Sequence, residues 1–164
     1  MKCPQCRHEM TRKTENHRYT ESGLSNIVLV GVEVRHCPQC GEDVVSIPHI
    51  EELHRSIAMA LIRHPGRLSA NEIRFLRKWL GWSGVDFAKH MGVAPETVSR
   101  WETADKPMGG TAERLLRLAV AHGQPIEEYP IELLTEISDE QVAKRPLLGM
   151  KPDRTGWVPT DLAA

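Results

Sequence analysis

The sequence predicts an α+β protein: a small N-terminal module with four cysteines and a β-hairpin or small sheet, followed by an all-α domain. Three observations support this fold class. All four cysteines fall within residues 1–47, and β-branched residues alternate with other types between the two cysteine pairs. Residues 48–122 show helical spacing of apolar residues, interrupted by glycines and prolines. A chain of 164 residues is long enough for two small domains.

Composition and charge limit the possible protein classes. Apolar residues make up 40% and charged residues 26%, which excludes a wholly disordered chain. Neither a signal sequence nor a run of roughly 18 apolar residues is visible, so we expect a cytoplasmic protein with no membrane partner. The net charge of −1 argues against a uniformly basic nucleic-acid binder. Residues 67–122, however, carry nine basic against six acidic side chains, and this region is locally basic.

The cysteines occur as two Cys-Pro-Gln-Cys pairs. Two residues between thiolates let one tight turn direct both sulfurs at a common metal, and a second turn completes a tetrahedral site. The spacing predicts one structural Zn²⁺ bound by Cys3, Cys6, Cys37 and Cys40. Gly41 follows the second pair and suits a turn with positive φ, whereas Arg7 occupies the matching place after the first pair.

Other interpretations of the cysteines are weaker. A redox dithiol lacks a surrounding βαβ pattern, and disulfides are disfavoured in the cytoplasm. A catalytic zinc needs an open coordination position, which four thiolates do not leave. His8 and His36 flank the pairs and could replace a ligand, although surface roles suit them better. No Ser-His-Asp set, paired carboxylates or phosphate-binding glycine loop accompanies the cysteines, so we expect no enzymatic activity, with a thiol oxidoreductase or zinc hydrolase as the alternatives.

Between the cysteine pairs the sequence predicts a β-hairpin or a small meander. Val28, Val30, Val32 and Val34 alternate with other residues, which is the period of a strand. A unit of this size buries little core, so we expect the metal to supply a large share of its folding free energy. Residues 1–47 are therefore predicted to be a zinc-binding domain.

Residues 48–66 are predicted to form a linker helix that ends at Pro65-Gly66. Four shorter helices are predicted within residues 67–123. The first begins at a capping box, Ser69 with Glu72, and the second begins at Ser83 and ends at Gly92. The third begins at Pro95 and the fourth runs from about residue 111 to residue 122.

A helix, a glycine turn and a second helix can place the second helix in the major groove of DNA. On the third predicted helix, Val98 and Trp101 face inward, while Glu96 and Arg100 point outward together. An exposed Arg100 can make a bidentate contact to a guanine edge. The alternative is an ordinary four-helix domain in which Arg100 is only a solvated side chain.

The residues that carry a family resemblance are Leu76–Ala88, Gly92-Val93 and Thr97–Glu102. Across residues 67–122 the chain resembles the Cro/repressor-type (XRE) helix-turn-helix family. The resemblance implies DNA base contacts from Pro95, Glu96, Thr97 and Arg100. At the start of the second helix the family usually offers a Gln to the phosphate backbone, and this chain has Gly84 there. The Ser83 hydroxyl or a backbone N–H of this helix end can take the phosphate instead, and the neighbouring cations Lys89 and Lys106 can compensate for the missing Gln. The resemblance also implies a buried ion pair between Arg77 and Glu102.

The order of the two modules, from Cys3 to His122, resembles the MqsA-type (YgiT-type zinc finger) antitoxins. This resemblance implies that the zinc domain binds and blocks a ribonuclease toxin, while the helix-turn-helix domain dimerises and represses the operon that encodes both proteins. We therefore expect a homodimer on a palindromic operator in double-stranded DNA, with half-sites ~34 Å apart. The alternative is a stand-alone transcription regulator with a structural zinc module and no toxin partner.

Residues 124–164 are predicted to be an acidic C-terminal extension. They carry four basic against eight acidic side chains. We expect their apolar cluster to form a short helix that docks on the helical domain or its dimer mate; its members are Ile126, Ile131, Leu133, Leu134 and Ile137. Residues 150–164 are expected to be disordered in the absence of a partner.

Overall fold

The computed structural model describes residues 1–122 and 147–162. The chain divides into two compact units. The first, which we call the sheet unit, comprises Met1–Glu21, Ser25–Leu53 and Pro146–Ala164. The second, the helical unit, comprises Ser22–Leu24 and His54–Arg145.

The described residues contain five strands and five helices, which confirms the predicted mixture of α and β structure. Their bounds are β1 Thr11–Arg18, β2 Ile27–His36, β3 Asp43–Val45, α1 Ile50–Arg63, α2 Ala70–Trp79, α3 Gly84–Met91, α4 Pro95–Glu102, α5 Gly110–His122, β4 Leu148–Pro152 and β5 Trp157–Thr160. No helix among them is both long and apolar enough to cross a membrane.

The five strands form one sheet with the order β1-β2-β4-β5, and β3 also pairs with β2. Strands β1 and β2 are antiparallel, as the predicted hairpin requires. On the other side of β2, strand β3 pairs with Val34–His36 next to the second cysteine pair. Strand β4 pairs in parallel with Ile27–Leu29, at the opposite end of β2.

The side-chain alternation of β2 changes phase at Gly31. Ile27 and Leu29 are buried before this residue, and Val32 and Val34 are buried after it. Gly31 has a φ of 65° and lies where the pairing register with β1 shifts, which is the signature of a β-bulge. Because the extra residue reverses the inward face, the predicted uniform alternation of valines holds only for the second half of the strand.

The C-terminal residues differ from the sequence-based expectation. Residues 150–162 were expected to be disordered without a partner, but β4 and β5 form an antiparallel hairpin that joins the sheet. The local sequence does not predict these strands, because they are short and contain Pro152 and Pro159. The predicted apolar cluster between residues 126 and 137 lies outside the described residues.

The helical unit follows its local sequence signals closely. The Ser69–Glu72 capping box opens α2, and Gly92 closes α3 with a φ of 66°. Pro95 is the first residue of α4, as predicted. A second capping box, between Ser83 and Asp86, opens α3 and was not predicted.

Helix α1 was predicted as a linker, and most of it belongs to the helical unit, which begins again at His54. Its buried positions include Ile57, Leu61 and Ile62, whereas Ile50 is exposed. The core of the helical unit also contains fully or nearly fully buried side chains of four later helices: Ile73, Leu76, Phe87, Val98, Leu116 and Val120. Because these side chains of α1 are buried, residues 54–63 belong to the helical unit and do not form a separate linker.

Candidate metal centre and nucleic-acid interface

The two cysteine pairs form turns with the same backbone hydrogen bonds. In the first, Arg7 N donates to Cys3 O over 3.0 Å and Cys3 N donates to His8 O over 2.8 Å. In the second, Gly41 N donates to Cys37 O over 3.0 Å and Cys37 N donates to the residue 42 carbonyl over 2.9 Å. Arg7 and Gly41 both have positive φ, 62° and 76°. The predicted positive-φ position is therefore present in both turns.

The four sulfur atoms converge on one point. The Sγ atoms of Cys3 and Cys40 lie 3.6 Å apart, and those of Cys6 and Cys37 lie 3.4 Å apart. All four lie within 4.8 Å of one another, and none forms a disulfide. Four thiolates at Zn–S distances near 2.3 Å would have sulfurs about 3.8 Å apart in a tetrahedron. The cysteines therefore fit a tetrahedral metal ion, as the sequence predicted.

The surroundings of the sulfurs favour a closed site. Cys3 and Cys37 are buried together with Met10, and Val44 packs against them. Burial raises the pKa of the Cys37 thiol, but hydrogen bonds from the backbone N–H groups of Cys40 and Gln39 outweigh it and lower the pKa to about 6. Backbone hydrogen bonds of the second turn thus stabilise the thiolate of Cys37, which is the form of cysteine that binds metal.

The flanking histidines do not join the cysteine cluster. His36 contacts two carboxylates instead: its Nδ1 lies 2.6 Å from Asp43 Oδ1 and its Nε2 lies 3.1 Å from Glu15 Oε1. Among the described residues, the group that could hold a metal ion consists of the four cysteines alone. Replacement of a cysteine ligand by His8 or His36 is therefore not supported.

Helix α4 presents two different faces. Val98 and Trp101 are buried, and the ring of Trp101 packs edge-on against Phe87 of α3 at a centroid distance of 6.1 Å. Glu96 and Arg100 are exposed on the other side. Of the remaining predicted contact residues on this helix, Pro95 is exposed and Thr97 is partly exposed.

The start of α3 is occupied by its own capping box. The Ser83 hydroxyl donates to Asp86 Oδ2 over 2.6 Å and accepts from Asp86 N over 3.1 Å. The bond from the hydroxyl, together with one from Ser83 N to Asp86 Oδ2 over 3.1 Å, lowers the pKa of the Asp86 carboxyl, which keeps a negative charge at this helix end. Gly84 is the first helical residue, and Lys89 is exposed further along α3. Lys106 is exposed after α4, and its N–H donates to Arg100 O over 3.2 Å.

Arg77 and Glu102, the ion pair that the family resemblance implied, make two contacts. Arg77 Nε lies 2.5 Å from Glu102 Oε1, and Nη2 lies 3.1 Å from Oε2. The same guanidinium donates to Trp82 O over 2.8 Å, and Arg74 donates to Glu102 O over 2.6 Å. Arg77 thereby links α2, the turn before α3 and the end of α4. The contribution of Arg74 was not predicted.

A second charged network, also missed by sequence reasoning, is centred on the fully buried Arg117 and Glu113. Arg117 donates to the carbonyl oxygens of Ile62, His64 and Gly66 over 2.9, 2.6 and 2.7 Å. Its other partner is Glu113 Oε1, 2.8 Å away, and Arg67 Nε lies 2.6 Å from Glu113 Oε2. Glu113 and Arg117 are four residues apart on one helix, which is the spacing of an ion pair. This spacing does not predict that the pair is buried.

The geometry defines a protein with a four-thiolate metal centre in its sheet unit and a bundle of short, capped helices in its helical unit. A family model described as the antitoxin component of a bacterial toxin-antitoxin system, MqsA, matches residues 1–130. This match spans most of the chain, so the protein belongs to the MqsA antitoxin family. It covers all four cysteines and α1 to α5, and it ends before β4. No curated protein matches the chain.

Proposed function

We propose that this antitoxin represses the operon encoding it and its toxin, binding double-stranded DNA through α3 and α4 as a helix-turn-helix. The observation that carries the proposal is the division of α4 into a buried apolar face and an exposed polar face. Val98 and Trp101 anchor the helix, and Glu96 and Arg100 remain available to a ligand. This is the arrangement that a helix needs to enter a major groove.

The contacts around α4 support a role in reading bases. The Arg77–Glu102 pair fixes the C-terminal end of the helix on α2. The Arg100 side chain has no hydrogen-bond partner among the described residues. An arginine on a fixed helix can form the bidentate contact to guanine without first losing another partner. We assign base contacts to Pro95, Glu96, Thr97 and Arg100.

Phosphate contacts are assigned to the start of α3 and to nearby cations. Because the Ser83 hydroxyl is bonded to Asp86, we assign the contact at this position to the backbone N–H of Gly84. Lys89 and Lys106 are exposed and can bind neighbouring phosphates. The charge of Asp86 opposes a phosphate there, so we expect these lysines to contribute more than the helix end.

A palindromic operator requires two copies of the chain, and we propose a homodimer. Helix α5 offers an apolar surface for it, since Leu115 is 41% and Leu118 is 45% exposed. These residues are three positions apart and share one side of the helix. Burying them between two copies would remove apolar surface from water.

We propose Zn²⁺ as the metal and the sheet unit as the part that binds the ribonuclease toxin. Four thiolates in tetrahedral arrangement favour zinc or an iron–sulfur centre, and sulfurs that all lie within 4.8 Å of one another leave room for a single ion, which favours zinc. The bound ion would supply folding free energy, while Cys3, Cys6, Cys37 and Cys40 hold it. Since four protein ligands leave no open position, we assign the site no catalytic role.

Substitution of Arg100 tests the DNA-binding proposal. Arg100→Ala is expected to weaken operator binding by ~1–3 kcal/mol and to relax the preference at one base pair. Binding is measured by titration of the operator at fixed salt, and footprinting locates the affected position. The matched control is Lys78→Ala, which removes an exposed cation from α2 and should leave the footprint unchanged. An unaltered footprint for Arg100→Ala would refute the assignment of α4.

The toxin proposal is tested separately. Expression of the native operon, followed by purification of the antitoxin, should yield a second protein in stoichiometric amount that is a ribonuclease when separated. Recovery of the antitoxin alone from an operon that encodes a neighbouring small protein would contradict the toxin assignment without affecting the DNA assignment.

A further inference from the structure

The C-terminal hairpin, formed by β4, β5 and the turn at residues 153–156, adds to the sheet at the end farthest from the cysteines. Strand β4 pairs with Ile27–Leu29, while Cys37 directly follows the other end of β2. From Leu29 to His36 the strand rises about 23 Å. The two ends of β2 are therefore held by different parts of the chain.

The C-terminal hairpin is firmly packed. Met150 is 0% exposed and Trp157 is 4% exposed, and both lie in the same unit as the buried Ile27 and Leu29. Trp157 Nε1 donates to Pro48 O over 2.7 Å. Burial of two large apolar side chains stabilises the hairpin on the sheet.

The backbone of the C-terminal hairpin is fixed by hydrogen bonds in its turn and by the close approach of its two strands. Asp153 Oδ1 accepts hydrogen bonds from the N–H groups of Thr155 and Gly156, over 2.7 and 2.8 Å. Across the two strands, a Cβ atom on Gly149 would lie 2.6 Å from Thr160 O. The strands approach so closely that only glycine fits at this position.

The cysteine end of the sheet has a separate apolar cluster. It consists of Cys3, Cys37 and Met10, with Val44 packed against them. None of these residues belongs to the C-terminal hairpin or to the part of β2 that it pairs with. The packing at one end therefore does not depend directly on side chains at the other.

We propose that the C-terminal hairpin is a second, metal-independent clamp on the sheet unit. The cysteine turns hold one end of β2 when metal is bound, and the hairpin holds the other end whether or not metal is bound. Loss of the ion then unfolds the cysteine turns and β3 but leaves β2, β4 and β5 paired. The hairpin lies outside residues 1–130, which the antitoxin family model matches. The proposal stands independently of the proposed DNA and toxin functions.

Hydrogen exchange of the full-length protein tests the clamp, with peptides resolved by mass spectrometry before and after removal of metal by a chelator. In the unmodified chain, amides of residues 3–10 and 37–45 should lose protection on chelation. Amides of residues 27–30 and 148–152 should keep it. Equal loss in both groups would overturn the proposal, because it would show that the hairpin cannot hold β2 without metal.

Gly149→Val supplies the second arm, since it forces β4 and β5 apart. With metal bound, this variant should lose protection at residues 148–160 and keep it at residues 3–10 and 37–45. With metal removed, it should lose protection throughout the sheet. Val158→Thr, which changes an exposed residue of the same hairpin, is the matched control and should behave as the unmodified chain. Retention of protection in chelated Gly149→Val, or its complete loss in the metal-bound variant, would contradict two independent clamps.

Discussion

The helical unit and the sheet unit are specified by the sequence in different ways. In the helical unit, Ser69 bonds to Glu72 and Ser83 bonds to Asp86, three residues away in each case. In the sheet unit, the Sγ atoms of Cys3 and Cys40 meet across 37 residues, and Trp157 bonds to the Pro48 carbonyl across 109. Local signals thus define the helices, while the sheet depends on contacts between distant segments.

This difference changes what a single substitution does. A change in a helix cap removes one local hydrogen bond, and the rest of the bundle still holds the helix. A change at a long-range contact of the sheet removes the partner of a segment that cannot fold alone. The buried Arg117 network is the exception within the helical unit, because it joins α5 to residues 62–66.

The largest expected effect on stability comes from a substitution in the buried Arg117 network. Arg117→Met should reduce the free energy of unfolding of the helical unit by about 3–5 kcal/mol, because it leaves Glu113 buried with one partner fewer and removes a charged donor from three carbonyl oxygens. Chemical denaturation followed by the helical circular dichroism signal measures this loss. The control Lys78→Met removes an exposed cation from α2 and should change stability by well under 1 kcal/mol.

A double variant separates charge burial from packing. Glu113→Met combined with Arg117→Met removes both buried charges and should recover part of the stability lost in the single variant. A double variant no more stable than Arg117→Met would indicate that the hydrogen bonds to the residue 62–66 carbonyls, rather than the uncompensated Glu113, carry the effect.

Most of the helical unit could be predicted from the sequence, because its caps and apolar spacing are local. Ser69, Gly92 and Pro95 each mark a helix boundary that the structure confirms. The four-cysteine cluster was equally predictable, since two Cys-x-x-Cys turns leave few ways to arrange four thiols. The predicted assignments of individual DNA contacts remain predictions.

The unpredicted features share a physical cause. The C-terminal hairpin is paired with a strand at the opposite end of the sequence, and its short strands carry no periodicity that distinguishes them from a loop. The phase change at Gly31 depends on the register with β1. Burial of Arg117 depends on carbonyl groups supplied by the end of α1. In each case the deciding partner lies far away in sequence.

A smaller effect is expected when a local signal is removed. Ser69→Ala should reduce the free energy of unfolding of the helical unit by about 1 kcal/mol, because it removes the acceptor for Glu72 N and half of the capping box. Ser69→Asp keeps a side-chain acceptor at the cap and should lose less. Stability is measured by the same denaturation experiment. A loss comparable to that of Arg117→Met would mean that a local helix cap contributes as much to the free energy of unfolding as a buried long-range contact.

The smallest expected effect lies in the sheet unit, at a place where its local sequence is unfavourable. Arg7 has a φ of 62° in a turn whose counterpart is Gly41, with a φ of 76°. A non-glycine residue in this conformation costs about 1–2 kcal/mol, part of which a glycine returns as unfolded-state entropy. Arg7→Gly should therefore stabilise the metal-bound sheet unit by up to about 1 kcal/mol, whereas Gly41→Ala should destabilise it. Thermal unfolding of the metal-loaded protein, monitored at the sheet signal, measures both changes. If Arg7→Gly proved destabilising, the side chain of Arg7 would have to make a contact that outweighs its strain, and the two cysteine turns would not be equivalent.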